Sequence, residues 1–275
     1  MPIEVVILMT RRTLLTGATG TLGRALRPRL RDAGHDVVAA SRSPPSTDRA
    51  DVEWVRTDFA AETGIRDAVS DVDVVVHAAT APRGDTESVD VRGTERLLVA
   101  AADAGVSNFV YVSIVGVDEI PYSYYEHKLT AERIVAESPV PSTIVRATQF
   151  HSFVHDILET IARVPIWPLP TGIRLQPIDV GEAAAAIADY ATPEAAGRAP
   201  DVGGPEILTV RELAETYREV RGLRRPIVRL PLPGEVAAGF RSGAACCPDR
   251  TVGTTTWGTW LESAHRDRLA AGGHR

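Results

Sequence analysis

The strongest chemical signal in the sequence is the run Thr16-Gly17-Ala18-Thr19-Gly20-Thr21-Leu22-Gly23-Arg24. Between a strand and a helix, such a run holds the pyrophosphate of a dinucleotide. Gly17 permits a tight turn, Gly20 lets the backbone approach the phosphates, and Gly23 lets the helix pack closely on the strand. The helix N-terminus then offers unpaired amides and positive potential to the anion, with Thr19, Thr21 and Leu22 in the expected contact set. A purely structural turn is the bland alternative, and the flanking strand and helix weigh against it.

At the end of the next strand, an acidic residue would accept hydrogen bonds from the ribose hydroxyls of NAD. Here the sequence reads Ala39-Ala40-Ser41-Arg42-Ser43. A carboxylate would repel a 2'-phosphate, whereas Arg42 and Ser41 suit one, so NADP(H) is expected ahead of NAD(H). Arg24 is a second candidate cation, and the alternative for Arg42 is a solvated loop residue. Asp58-Phe59 and His77-Ala78-Ala79-Thr80 stand at the carboxyl ends of two further strands, where open α/β sheets bind ligands. Asp58 would either reach the adenine amino group or cap a helix. Ala78 and Ala79 are small enough for backbone to lie against a cofactor, with Thr80 beside them, and His77 reads as a packed strand-end residue. No metal site is expected. Gln149, Phe150 and His151 end a later strand; they would border the nicotinamide and orient a substrate carbonyl, or cap the helix that follows. Asp179 reads as a helix N-cap. Phe150, Phe153, Trp167 and Leu169 would favour an apolar substrate, or simply form core.

These residues are placed by an alternation of apolar β-branched runs with helical patterns. Strands are expected at 13–16, 36–41, 52–55, 73–78, 108–113 and 142–146, and helices at 22–33, 65–69, 89–104 and 124–136. Parallel strands need crossovers and the crossovers carry helices, so the expected fold class is α/β with a doubly wound parallel sheet. After Arg146, prolines and glycines crowd 165–177 before an alanine-rich helix at 180–190, an amphipathic helix at 210–221 and an extended segment at 226–233. The division expected is a dinucleotide-binding core over 1–150, with 177–203 returning to it, and a small C-terminal substrate-side lobe over 151–275.

The composition excludes several classes. With 275 residues, 44% hydrophobic, and a net charge of -6 without a long block of one sign, the chain suits a globular domain and carries no nucleic-acid footprint. The two cysteines, Cys246 and Cys247, are adjacent, which excludes a disulfide framework and fits packing roles in a reducing, cytoplasmic setting. Residues 1–9 are apolar but short and lack a basic start, so neither a signal peptide nor a membrane span is expected there, and translation is expected to start at Met9. The expected partner is a small-molecule substrate, with neither nucleic acid nor membrane; the second half shows no basic cluster suited to a diphosphate.

The glycine run, Asp58, the Ala78-Ala79 segment, Ser113 and the stretch from Tyr124 to Lys128 together resemble the short-chain dehydrogenase/reductase superfamily over most of the chain. The likeness is to its atypical branch of NmrA-like and isoflavone-reductase-like NAD(P)H-binding proteins. It implies a Rossmann-type sheet and a catalytic set of Tyr124, Lys128 and Ser113. In this set the tyrosine exchanges a proton with a carbonyl or alcohol, and the lysine, four residues on and so on the same helix face, favours the phenolate and holds the nicotinamide ribose. Extended members place the serine one residue further, at Ile114 here, and often carry asparagine where this chain has Asp90. In the isoflavone-reductase-like group the lysine itself relays the proton. The resemblance implies an NADPH-dependent oxidoreductase acting on a ketone, enone or quinone. An epimerase or dehydratase, and a non-catalytic NADP-binding redox sensor, are the alternatives.

Overall fold

The structure is a computed structural model that describes residues 11–45 and 52–272. The start expected at Met9 lies outside them. Strands covered on both faces need continuous apolar runs, and such runs form the centre of the sheet. β1 (Arg11–Thr16), β2 (His35–Ser41), β3 (Glu53–Arg56), β4 (Val74–His77), β5 (Asn108–Ile114) and β6 (Ser142–Ala147) alternate with α1 (Thr21–Asp32), α2 (Ile65–Ala68), α3 (Gly93–Ala104) and α4 (Ser123–Glu137). α1 buries Leu22, Leu26 and Leu30, one residue per turn. α3 is preceded by a π-helical stretch, Glu87–Arg92, where the pattern had suggested plain α-helix.

Beyond β6 come α5 (His151–Ile161), β7 (Trp167–Leu169), β8 (Arg174–Leu175), α6 (Val180–Ala188) and β9 (Gly197–Arg198). They are followed by β10 (Leu208–Thr209), α7 (Val210–Val220), β11 (Ile227–Arg229), α8 (Glu235–Ser242) and α9 (Trp257–Gly272). Seven strands form one parallel sheet in the order β3-β2-β1-β4-β5-β6-β9, the doubly wound Rossmann-type arrangement expected. The order reverses between β1 and β4. Their register pairs Thr16 with His77, so the chain leaves both strands at the same level, and a cleft there is where such sheets take ligands.

By contact the described chain forms two compact units. One runs up to Tyr111 and adds 134–143 and 188–197; the other takes 112–133, 144–187 and the chain from Arg198 onward. The boundary expected at residue 150 falls inside the second. The core of that second unit joins Leu158 of α5, Trp167 of β7, Leu213 and Tyr217 of α7, and Trp257 and Leu261 of α9. The indole of Trp257 donates to the Leu213 carbonyl at 3.0 Å. Asp179 caps α6, its Oδ1 accepting from the amides of Gly181 (2.8 Å) and Glu182 (3.2 Å). Among the described residues, no helix is long and apolar enough to cross a membrane.

Candidate cofactor site and active site

In the first unit, two glycines of the turn are demanded by the fold. Gly17 has a φ of +66°, and a Cβ on it would stand 2.7 Å from the Ala78 carbonyl oxygen. A Cβ on Gly23 would stand 2.2 Å from the Gly17 carbonyl oxygen. Gly20 is different. It is the N-cap of α1 at φ -71°, a conformation open to any residue, and no side chain caps the helix there. The first turn of α1 holds no acidic residue, so no carboxylate of that turn neutralises its amides. Thr19, Gly20 and Thr21 are exposed, while Leu22 is buried beneath the turn. The donor set therefore fits a dinucleotide pyrophosphate.

Around this turn the other candidates of the unit assemble. Ser41 Oγ lies 3.4 Å from Thr19 Oγ1 and accepts from the Ser43 amide at 3.2 Å, which joins the end of β2 to the glycine turn. Arg42 is exposed beside it. Arg24 donates to the Thr19 carbonyl at 2.6 Å and so braces the turn. Asp58 Oδ1 accepts from the amides of Ala60 and Ala61 at 3.0 and 3.1 Å, capping a turn rather than a helix. The Phe59 side chain is buried under Gly93 and meets His77 edge-on at 5.5 Å, so its ring is core.

His77 is a packed hub. Its Nε2 pairs with Thr94 Oγ1 at 3.0 Å, and that hydroxyl donates to the Asp90 carbonyl at 2.6 Å, so the imidazole proton sits on Nε2. Thr16 Oγ1 accepts from the Ala79 amide at 3.2 Å, leaving its own proton for His77 Nδ1 at 2.7 Å. Asp90, 1% exposed, receives Thr80 Oγ1 at 2.6 Å and the Ala81 amide at 2.9 Å. Ala78, Ala79 and Thr80 are thus held by side chains of β1 and of the helical segment before α3. Sequence reasoning missed Thr16 and Thr94 because single threonines carry no spacing signal.

In the second unit, α4 sets Tyr124, Lys128 and Glu132 on one face. Lys128 is 3% exposed, and its Nζ donates to the Val112 carbonyl at 2.9 Å. Glu132 takes a bidentate pair from Arg146 of β6 at 2.8 and 2.7 Å, and the same guanidinium reaches Asp118 at 2.9 Å. Burial pushes the Asp118 carboxyl up, yet its hydrogen bond and charge contact with Arg146 outweigh that and hold it below the ordinary range. Tyr124 is half-buried. Its neighbour Tyr125 is buried, with its phenol pushed up to about 12 by burial against the opposing hydrogen bond to Gln149.

Three of the expected residues are covered by the protein to different degrees. Ser113 is 3% exposed and its hydroxyl has no partner. Successive strand residues face opposite ways, and it is Ile114 that packs with Tyr124 around Val117, Ile120 and Tyr125. Gln149 spends its carboxamide on the protein, donating to the Ala245 carbonyl and accepting from the Gln176 amide, both at 3.3 Å. His151 is 1% exposed, bonded through Nε2 to the Thr255 carbonyl at 3.0 Å and packed on Trp257; burial lowers its pKa. The His151 side chain is thus buried, whereas that of Gln149 keeps partial exposure. Phe150 is half-buried as the N-cap of α5. Burial pushes the Cys246 and Cys247 thiols up to about 11 and about 12, which leaves them inert packing residues.

A family model described as NAD(P)H-binding matches residues 17–158. An uncharacterized protein of Mycobacterium tuberculosis is 28% identical over 57% of this chain, and the chain spans only 17% of its length. A (4-alkanoyl-5-oxo-2,5-dihydrofuran-3-yl)methyl phosphate reductase of Streptomyces griseus is 34% identical, over 78% of this chain and 74% of that protein. Among solved structures, an NADPH-dependent quinone oxidoreductase of Escherichia coli in complex with NADPH matches with a TM-score of 0.78. At 18% identity it covers 92% of this chain and 99% of that one, a likeness of fold.

Proposed function

This chain belongs to the NAD(P)H-binding family, and we propose that it is an oxidoreductase that uses NADPH to reduce a carbonyl, enone or quinone of a small apolar substrate. When bound, the nicotinamide supplies the hydride. Gly17, Gly20 and Gly23 with the first amides of α1 receive the pyrophosphate, Ser41 and Arg42 the 2'-phosphate, and Ala78 and Ala79 the flank of the cofactor. Arg42→Asp is expected to shift preference from NADPH to NADH, and unchanged preference would remove Arg42 from that role.

The observation that carries the reading is the buried lysine one helical turn from a half-exposed tyrosine. A buried ammonium is costly unless it serves a purpose. With Nζ anchored on the Val112 carbonyl, the charge of Lys128 stabilises the negative charge that develops on the Tyr124 oxygen as its proton leaves. Tyr122, 44% exposed with its ring 6.4 Å from that of Tyr124, supports an apolar, planar substrate. The S. griseus protein is a reductase by name, in agreement.

Ile114 in the place of a catalytic serine favours a second reading, an NADP-binding redox sensor without turnover. Absorbance of NADPH followed against a panel of quinones, enones and ketones separates the two. Turnover that Tyr124→Phe and Lys128→Ala abolish, with NADPH still bound, supports the enzyme. Binding without consumption of NADPH on any substrate refutes it.

A further inference from the structure

Folding gathers basic residues of three helices at one place in the second unit. In the second unit a cavity of about 180 Å³ is lined by His155 of α5, Arg221 at the end of α7, and Leu261, Ala264, His265 and Arg268 of α9. Beneath it lies Tyr217, its ring 5.6 Å from the Arg221 guanidinium carbon and meeting the His155 ring edge-on at 5.6 Å.

Two polar atoms here lack partners. His265 Nδ1 is buried without a hydrogen bond, and so is the hydroxyl of the fully buried Tyr217. Buried polar atoms are almost always satisfied, so the orphaned Nδ1 of His265, a residue that lines the cavity, points to something that enters it. Two carboxylates stand nearby: Glu159 is paired with Arg268 at 2.5 Å, and Asp156 stands 3.4 Å from His155 Nδ1. Ligand atoms of His155, Asp156 and Glu159 lie within 4.8 Å of one another, as a metal would need. Arg268 is already seated on Glu159, which leaves the Arg221 guanidinium and the His265 imidazole to face a ligand, and both offer N–H donors that suit an anion. Guanidinium forks match the oxygens of phosphate, and imidazole N–H groups add donors. The volume suits one small ion and not a nucleotide.

We propose that this cavity is a binding site for a phosphate-sized oxyanion, held by Arg221 and Arg268 with His155 and His265 donating. It shares no residue with the glycine turn and is independent of the hydride-transfer reading.

The test is titration of the full chain with inorganic phosphate, followed by calorimetry and by phosphorus NMR line width, with and without saturating NADP. The expected result is saturable binding at one site that NADP leaves in place. Loss of one charge-assisted donor in Arg221→Met or His265→Asn weakens it by about tenfold or more. If Arg221→Met fails to fold, the milder His265→Asn carries the comparison, alongside the phosphate-dependent rise in Tm. Glycerol phosphate bound as well as phosphate would identify a monoester as the ligand, and its exclusion would identify free phosphate. Absence of saturable binding overturns the proposal. So does binding that NADP displaces and the variants leave unchanged, or tight zinc binding lost in His155→Asn with no binding of phosphate.

Discussion

The glycine turn allows its structural and ligand-binding duties to be separated by two substitutions three residues apart. Gly23→Ala forces a methyl to 2.2 Å from the Gly17 carbonyl oxygen and 2.7 Å from Ala18 Cα, both backbone atoms that cannot step aside. Overpacking of this kind costs about 2 kcal/mol, which in a chain of this size lowers Tm by roughly 4–8 °C. Gly20→Ala meets only the Gly17 carbonyl oxygen at 3.1 Å, at a φ that alanine adopts freely. Its cost is the poorer N-cap, about 0.5 kcal/mol and roughly 1–2 °C. The same methyl stands where the pyrophosphate must approach the amides of α1. Losing one such charge-assisted hydrogen bond, at about 1.5–3 kcal/mol, weakens NADPH by roughly 10- to 150-fold. Calorimetry without cofactor gives the two Tm values, and titration of NADPH fluorescence gives the two Kd values. Gly20→Ala should therefore lose affinity while keeping its Tm, and Gly23→Ala should lose Tm. A Gly20→Ala protein that binds NADPH as the parent does would show the turn to be structural only, and the cofactor assignment built on it would fall.

Ser113→Ala should leave turnover unchanged and Tm unchanged or raised, because it removes an unpartnered buried hydroxyl. Tyr124→Phe should cut kcat by about 10²- to 10⁴-fold, and a comparable loss in Ser113→Ala would refute the strand phase argued above. His77→Leu leaves the Thr16 O–H without its acceptor and Thr94 without the imidazole donor, and should cost about 1–3 kcal/mol in urea unfolding, with weaker NADPH binding as the Ala78-Ala79 segment loosens; unaltered affinity would detach His77 from the site. Arg146→Met leaves Glu132 buried and uncompensated and should cost about 3–5 kcal/mol. Because Asp118 titrates below its ordinary value when folded, its contribution is present above the unfolded pKa and is lost as pH falls through the folded one. The slope of stability against pH on the acid side should therefore flatten in Arg146→Met, and an unchanged slope would contradict the pairing.

The first unit was legible because each of its elements carries a local signal. Continuous apolar strands such as Val74–Val76, helices with one buried leucine per turn, and glycines that punctuate them all lie within short windows of sequence. The second unit is built otherwise. β8 and β10 have two residues each, and β7 pairs with β11 some sixty positions later, matching Trp167 with Ile227. Elements that short have no period of their own, and their stability comes from partners distant in the chain. The proline-rich stretch over 165–177 hid β7 and β8 for the same reason. α9 escaped notice because its large buried residues, Trp257 and Leu261, cluster at its start and the charged run from His265 to Arg268 interrupts the pattern.

The candidate site divides along the same line. Gly17, Gly23, Ala78 and Ala79 could be read because their smallness is itself the signal, and the structure explains it by backbone contact. The side of β5 on which Ser113 lies could not be read. Asn108–Ile114 is covered on both faces at its centre, so no alternation of polar and apolar residues reveals its phase, and a one-residue error exchanges Ser113 for Ile114. That exchange bears directly on the chemistry. A hydroxyl beside Tyr124 would share the substrate oxygen with it, whereas Ile114 offers only an apolar surface. If the chain reduces a substrate as proposed, Tyr124 is the group placed to pass the proton, with Lys128 one turn behind it. Lys128 holds its place through the Val112 carbonyl, on the strand immediately before Ser113, and through a helix that Glu132 clamps to Arg146. The competence of the site therefore rests on how firmly that helix is held, and so Arg146→Met, remote from any reacting atom, should lower kcat as well as stability.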